Sequence, residues 1–403
     1  MNAKPTRLFL PTLLAVCLCC GPALAETPAP AAVAAPSAKA ATPQKPIILK
    51  TMGSLFFGGT VSRDEKTGQT FHGDHGYAQF YIPENAKNLP IIMWHGIGQS
   101  GRSFESTPDG REGFQALLPR DGWAVYLIDQ PRRGRAGRTQ SVMPKADIPT
   151  TMTESGVWDA FRMGRWNVPE KPTLYPGLQQ PKNAFALDQF MRQQTPDTGE
   201  LPRTPEHDVF MAETMRALLE QTGPAILLTH SYGGQFGWAT GMLTPELVRG
   251  IVAFEPGRHV FPESDPPEPL TSPIEDLARH MAPPLVPLEQ FKRLTAIPIL
   301  LIYGDNIKIE PGTTFNDEVW RFSLARARAF VATVNRHGGD ARLIHLPELG
   351  IRGNTHAPFA DQNNVAIALL MESWLAEKGL DGRDAPHQGP KTLHMEMTVP
   401  LAE

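Results

Sequence analysis

Six stretches of this chain, residues 89–94, 123–128, 225–228, 251–254, 297–302 and 342–346, are nearly continuous in apolar residues and lack polar alternation. A half-exposed strand alternates apolar and polar side chains, so a strand that does not is covered on both faces. Segments with apolar residues at helical spacing lie between these runs. The alternation predicts a mostly parallel sheet flanked by helices, an α/β fold. Residues 47–49, 53–57 and 76–82 precede the runs and read as early antiparallel strands. Thr204-Pro205-Glu206 starts one helix, with Pro at its first position, and Met211, Met215 and Leu218 form its apolar stripe. A second, from Asn316 or Asp317 to Gly338, turns Trp320, Leu324, Ala327, Val331 and Val334 inward. A last one over 364–378 does the same with Ile367, Leu370 and Trp374. These stripes read as core packing.

The N-terminus is not part of that fold. Lys4 and Arg7 precede an apolar stretch over 8–20, too short for a comfortable membrane span, and Ala23-Leu24-Ala25 is a small-x-small cleavage site. Residues 1–25 therefore read as a signal peptide. All three cysteines, Cys17, Cys19 and Cys20, lie inside it, so the mature chain forms no disulfide and no thiolate metal site. Export to a bacterial periplasm or the medium fits such a chain, with no stable membrane insertion after cleavage. Without Lys4 and Arg7 the chain has 36 basic against 42 acidic residues, net −6, which gives no nucleic-acid footprint. Residues 26–46 are rich in Ala and Pro and read as a disordered linker. One domain is expected over 47–380 and a loosely ordered tail over 381–403. Within the domain, 137–203 is rich in proline and aromatics without a clear strand. It reads as a cap over the carboxyl ends of the strands, where ligands bind in open α/β sheets. Trp158, Phe161, Trp166, Tyr175 and Phe185 suggest an apolar or aromatic surface there.

The chemistry centres on Ser231. In Ile226-Leu227-Leu228-Thr229-His230-Ser231-Tyr232-Gly233-Gly234 an apolar run ends in a Ser followed by two glycines, the pattern of a nucleophile elbow between strand and helix. Thr229 stands where the first Gly of such a motif is usual. A Ser hydroxyl needs a neighbouring base. His356, after the last strand and before the last helix, is the expected base. Two acids suit the order Ser, acid, His: Glu255 in Phe254-Glu255-Pro256-Gly257, and Asp305 in Tyr303-Gly304-Asp305. Adjacent strand ends lie about 5 Å apart, so both reach, and spacing alone slightly favours Asp305. His95-Gly96-Ile97-Gly98 follows the third strand, and the backbone N–H groups of Ile97 and Tyr232 are nominated as the oxyanion hole. His230 reads as an orienting residue and His345 as buried structure. His72, Asp74 and His75 resemble metal ligands but lack the further ligands of a hydrolytic site, and read as a loop between early strands. Arg132, Arg133, Arg135 and Arg138 read as structural, with a substrate-gripping role as the lesser alternative.

The segments 53–59, 95–111, 128–135, 229–231, 252–257, 303–305 and 353–356 together resemble a small group of bacterial α/β-hydrolase carboxylesterases. Their triad acid is a Glu following strand six. The resemblance spans about residues 50–378 and is weak only in the cap. It implies the α/β-hydrolase fold, Glu255 rather than Asp305 as the acid, and hydrolysis of small-molecule esters without cofactor or metal. Some members carry two adjacent cysteines where Ile97 and Gly98 stand here. A lactonase or thioesterase would use the same residues. A non-catalytic binding protein would lack a triad member, and none is missing. Oligomeric state, monomer or homodimer, is left open.

Overall fold

The computed structural model describes residues 45–137, 151–199 and 202–391. The expected signal peptide, nearly all of the linker, Arg138 and the last twelve residues lie outside the described residues. Eight strands form one sheet: β1 Leu49–Arg63, β2 Thr70–Pro83, β3 Ile91–Trp94, β4 Val125–Asp129, β5 Ala225–His230, β6 Val248–Phe254, β7 Ile299–Tyr303 and β8 Ala341–His345. Their order is β1-β2-β4-β3-β5-β6-β7-β8. The first two pair antiparallel with each other, and β2 with β4; every later pairing is parallel. Leu49 and the segment expected at 53–57 belong to one strand, because Thr51 and Met52 between them pair with Ile82 and Tyr81 of β2, and the pairing runs on to Arg63. His72, Asp74 and His75 lie inside β2, not in a loop.

The helices flanking the sheet are α1 Phe114–Arg120, α2 Glu154–Ala160, α3 Ala184–Arg192, α4 Pro205–Thr222, α5 Gly233–Leu243, α6 Phe315–Arg336 and α7 Asn364–Glu377. Thr204 caps α4 by accepting from His207 N–H, and Thr314 caps α6 by accepting from Asp317 N–H, so α6 starts at the residue before the expected Asn316. Alternate strand residues face opposite layers. Ile92, Leu227, Ile251 and Leu301 pack on α4, α5 and α6 through Met215, Phe236 and Phe330. Met93, Leu228, Val252 and Ile302 pack on α1 and α7 through Leu118 and Met371, together with Val157 of α2 and Phe190 of α3. Both strand faces are therefore buried, the physical cause of the unbroken apolar runs.

Between β4 and α4, the described part of the expected cap contains α2, α3 and two short paired segments, Gly164–Arg165 and Thr173–Leu174. Trp158 and Phe161 are buried in the core rather than presented as a surface. Residues 381–391, part of the expected tail, make contacts with the sheet and its loops. His387 meets the Tyr126 hydroxyl at 2.9 Å, and Arg383 donates to the carbonyls of Asn85 and Asp121.

The crossing of β5 and α5 explains Thr229. Its side chain is fully buried, and a Cβ on Gly237 of α5 would lie 2.9 Å from Thr229 Cγ2. Here the larger residue on the strand is matched by the absence of one on the helix. Gly237→Ala is expected to cost about 1–2 kcal/mol by overpacking. In a Thr229→Ala background the same change costs clearly less, a positive coupling readable from urea denaturation of the four-member cycle.

Candidate active site

Register aligns the ends of three strands. His230 on β5 pairs with Phe254 on β6, and Phe254 pairs with Ile302 on β7. The residues that follow, Ser231 and Glu255, leave the sheet side by side. Both take left-handed backbone, with φ of +52° and +46°. That conformation costs a side-chain-bearing residue about 1–2 kcal/mol and persists only where surroundings over-determine it. Ser231 N–H donates to Phe254 O (3.0 Å), and Ser231 O accepts from the N–H groups of Gly234 (3.0 Å) and Gly257 (3.3 Å). Glu255 N–H donates to Ile302 O (2.9 Å). Close approach decides the glycine at 96: a Cβ there would lie 2.8 Å from Ser231 Cβ. Ser231 is partly exposed, while His230, Tyr232, Glu255 and His356 are buried.

The Glu255 carboxylate is fully buried and takes four donors. His356 Nδ1–H reaches Oε2 at 2.6 Å, and Arg162 Nη1–H reaches the same oxygen at 2.8 Å. Arg162 Nη2–H reaches Oε1 at 2.5 Å and Gly304 N–H at 2.6 Å. Burial alone pushes the carboxyl up. The Arg162 charge and the hydrogen bonds from His356 and Arg162 outweigh it and bring the group down to about 2. It is a carboxylate at every working pH.

His356 is buried on a loop held from three directions. Its N–H donates to Phe161 O of the cap (3.1 Å), and its carbonyl accepts from His230 Nε2–H (2.8 Å). Its ring packs 4.1 Å from Trp320 and 4.5 Å from His230, centroid to centroid. Asp361 ties the preceding residues down, accepting from Thr355 N–H, Thr355 Oγ1–H and Asn354 Nδ2–H. Burial lowers the imidazole pKa, with the Glu255 hydrogen bond and charge opposing. With Nδ1–H given to Glu255, Nε2 is left as the acceptor.

His230 is likewise kept neutral by burial. Because it donates through Nε2, its Nδ1 needs a donor. The Gln99 amide lies 3.0 Å away with its NH2 otherwise unpartnered, so this group faces the ring. Asp305 meets no part of the His356 side chain among the described residues. Its carboxylate takes the N–H groups of Asn306 and Gly353, each at 2.8 Å, and its carbonyl takes Arg162 Nε–H. It buttresses the loop that carries His356.

Tyr232 follows Ser231 in the chain, and Ile97 follows Gly96, which lies against Ser231. Among the described residues neither of their backbone N–H groups has a hydrogen-bond partner. The loop around Ile97 is supported from beneath. Arg133 is fully buried, donates to Gln99 O (2.6 Å) and Gly96 O (3.4 Å), and pairs with Asp197. Arg135 pairs with Asp129 at 2.8 Å and Arg132 with Asp74 at 2.9 Å. These arginines are held by partners within the fold. His345 is buried, as expected. Sequence reasoning missed Arg162, which sits in no motif, and Gln99. It placed Trp320 in a core stripe, but this residue also packs on His356. Among the described residues no group of three His, Cys, Asp or Glu side chains could hold a metal ion, and no helix is long and apolar enough to cross a membrane.

A family model described as the alpha/beta hydrolase family matches residues 91–387. A probable secreted lipase, phiG, of Fungal sp. (strain ATCC 74256) is 28% identical over 338 residues, covering 75% of this chain and 86% of the lipase. A novel bacterial esterase solved at atomic resolution is similar in structure, with a TM-score of 0.67 and 28% identity, over 84% of this chain and 99% of the esterase.

Arg133→Met is expected to destabilise the protein by about 3 kcal/mol. It leaves Asp197 without its cation and the buried Gln99 carbonyl without a donor, while Gly96 O keeps the His95 ring as its partner. Urea denaturation reads the loss; a change below about 0.5 kcal/mol would contradict the supporting role.

Proposed function

The chain belongs to the alpha/beta hydrolase family, and from that premise we propose that it is an exported serine carboxylesterase acting on small apolar or aromatic esters. The observation that carries the reading is the buried hydrogen bond of 2.6 Å between Glu255 and His356, on a loop joined to the residue before Ser231. In this mechanism Ser231 Oγ attacks the ester carbonyl carbon while His356 Nε2 takes its proton. Glu255 holds the imidazole tautomer and stabilises the imidazolium. The developing oxyanion lies between the N–H groups of Ile97 and Tyr232, each worth on the order of 3 kcal/mol of barrier. The tetrahedral intermediate collapses, and His356 passes its proton to the departing alcohol. Water, deprotonated by the same His, then attacks the acyl-enzyme and releases the acid and Ser231.

The walls near Ser231 support an apolar substrate. Ile97 is exposed, the sulfur of Met152 lies over Gly98, and Phe161 and Trp320 pack on His356. The similar lipase and esterase support ester bonds as the substrate class. Export rests on the reading of residues 1–25 as a signal peptide, and the word secreted in the similar lipase's name agrees with it.

Hydrolysis of a short-chain p-nitrophenyl ester tests the reading. Ser231→Ala is expected to lower kcat/KM by at least about 10³-fold and Glu255→Gln by about 10²–10⁴-fold. Asp305→Asn is expected to stay within about tenfold, because its carboxylate takes two backbone N–H groups and faces the exposed Arg352 at 3.9 Å, and does not meet His356. A larger effect at Asp305 than at Glu255 would overturn the assignment of the acid. Inertness of the folded wild type to the ester and to a serine-directed phosphonate would overturn the esterase reading itself.

The pH profile gives a second check. His356 must be neutral to act as base, and its pKa lies below the ordinary 6.5. The acid limb of kcat/KM is therefore expected below pH 6.5, with activity lost as pH falls through that limb. A limb above 6.5 would contradict the buried, neutral imidazole.

A further inference from the structure

Resting on the esterase reading, we infer that Arg162 is a positioning residue for the Glu255–His356 pair, and that the cap carries it into place. The pair then takes its working geometry only while Arg162 is engaged with it. Three consecutive cap residues grip the site. The Ala160 carbonyl accepts from Trp320 Nε1–H (2.9 Å), the Phe161 carbonyl accepts from His356 N–H (3.1 Å), and Arg162 reaches Glu255 and the Asp305 carbonyl. Arg162 sits just past α2 in left-handed backbone, φ +54°, which aims its side chain inward. The side chain is 4% exposed, and its guanidinium lies over the Trp320 ring at 4.8 Å.

A guanidinium is suited to this place and an ammonium is not. Its planar fork binds both carboxylate oxygens while its Nε–H serves a third acceptor. The fork fixes the carboxylate plane, so that Oε2 points at His356 Nδ1 and Oε1 at Gly304 N–H. It also balances charge. Glu255 alone beside His356 would favour an imidazolium in the resting enzyme, where no base would remain. With Arg162 in place the carboxylate charge is already matched, and His356 rests neutral. The other titratable groups facing the pair are His230 from β5, Tyr303 at the end of β7, Asp305 just beyond it, and Asp361 before α7. His230 is kept neutral, the Tyr303 phenol is pushed up by burial, and Asp305 and Asp361 face the loop amides and hydroxyls. Among these described groups Arg162 supplies the positive charge.

The test compares Arg162→Met, Arg162→Lys and Arg162→Gly with Arg165→Met, using p-nitrophenyl acetate. Arg165 joins the cap to Asp317 without touching the pair, so its loss removes one cap ion pair while the contacts of Ala160, Phe161 and Arg162 stay in place. The Arg162 variants are expected to lose about 10²-fold in kcat with KM within about threefold. Their acid limb moves to higher pH, and the His356 ring-proton NMR titration moves the same way. Guanidinium at tens of millimolar is expected to restore at least tenfold to Arg162→Gly, while equal KCl does not. Arg165→Met should stay within about threefold, with its limb unmoved.

Two results would overturn the inference: kcat within threefold for Arg162→Met, or losses matched by Arg165→Met with no movement of the His356 titration. A wild type that is inert as an esterase counts against the esterase reading. In that case the NMR titration still decides whether Arg162 sets the state of His356. If Arg162→Met fails to fold, Arg162→Gly with and without guanidinium gives the same decision.

Discussion

A carboxylate that reaches no water must be matched on every side or it is not a carboxylate. Glu255 meets that condition through donors from three other parts of the chain, so that four segments converge on it. Its own backbone leaves β6, Gly304 follows β7, His356 comes from the loop before α7, and Arg162 from the cap. Breaking one partner of a buried pair leaves an uncompensated charge, a cost of several kcal/mol. The four segments are therefore tied to one another through this group, and the cap is as much a part of the site as the sheet.

The turns around it carry strain of the same origin. Ser231, Glu255 and Arg162 all occupy left-handed backbone, which side-chain-bearing residues rarely adopt. Each is held by hydrogen bonds on both sides or by a fully paired side chain. The strain sets direction: Ser231 stands up from the sheet edge, Glu255 turns beneath His356, and Arg162 turns down from the cap. Beneath them a second set of polar groups, Arg133, Gln99, His230, Asp305 and Asp361, holds the loops by their backbone. Such a frame suits electrostatic stabilisation, in which donors already point where charge will develop and no reorganisation is needed.

Polar and apolar parts of the site are segregated. Charge lies below and behind His356, while the buried rings of Phe161 and Trp320 pack on its imidazole and Ile97 is exposed. The aromatic residues of the cap are divided between these roles. Trp158 packs inside and donates to Thr173 O, whereas Phe161 meets the His356 ring. Aromatic content alone did not distinguish a ring packed on His356 from one packed elsewhere in the core, because both are buried.

Much of the fold was legible because local patterns carried it. Runs buried on both faces, a Pro at the start of α4, and a Ser followed by two glycines each express a constraint acting within a few residues. The succession of strands along the chain followed from that alternation, and the placing of Ser231 and His356 in loops after strands followed from that succession, whereas the order of strands in the sheet did not. The choice of acid was not legible from spacing, since the ends of β6 and β7 lie side by side and either carboxylate has the reach. The resemblance favoured Glu255. The folded chain decides the contact by turning Glu255 under His356 and engaging Asp305 with the amides of Asn306 and Gly353. Arg162 lay beyond any local reading: its partner is 93 residues away and comes within reach only when cap and sheet pack together. Nor do the balance of charge around His356 and the backbone support beneath Ile97 follow from local pattern, because burial and pairing at a distance exist only once the chain has closed on itself.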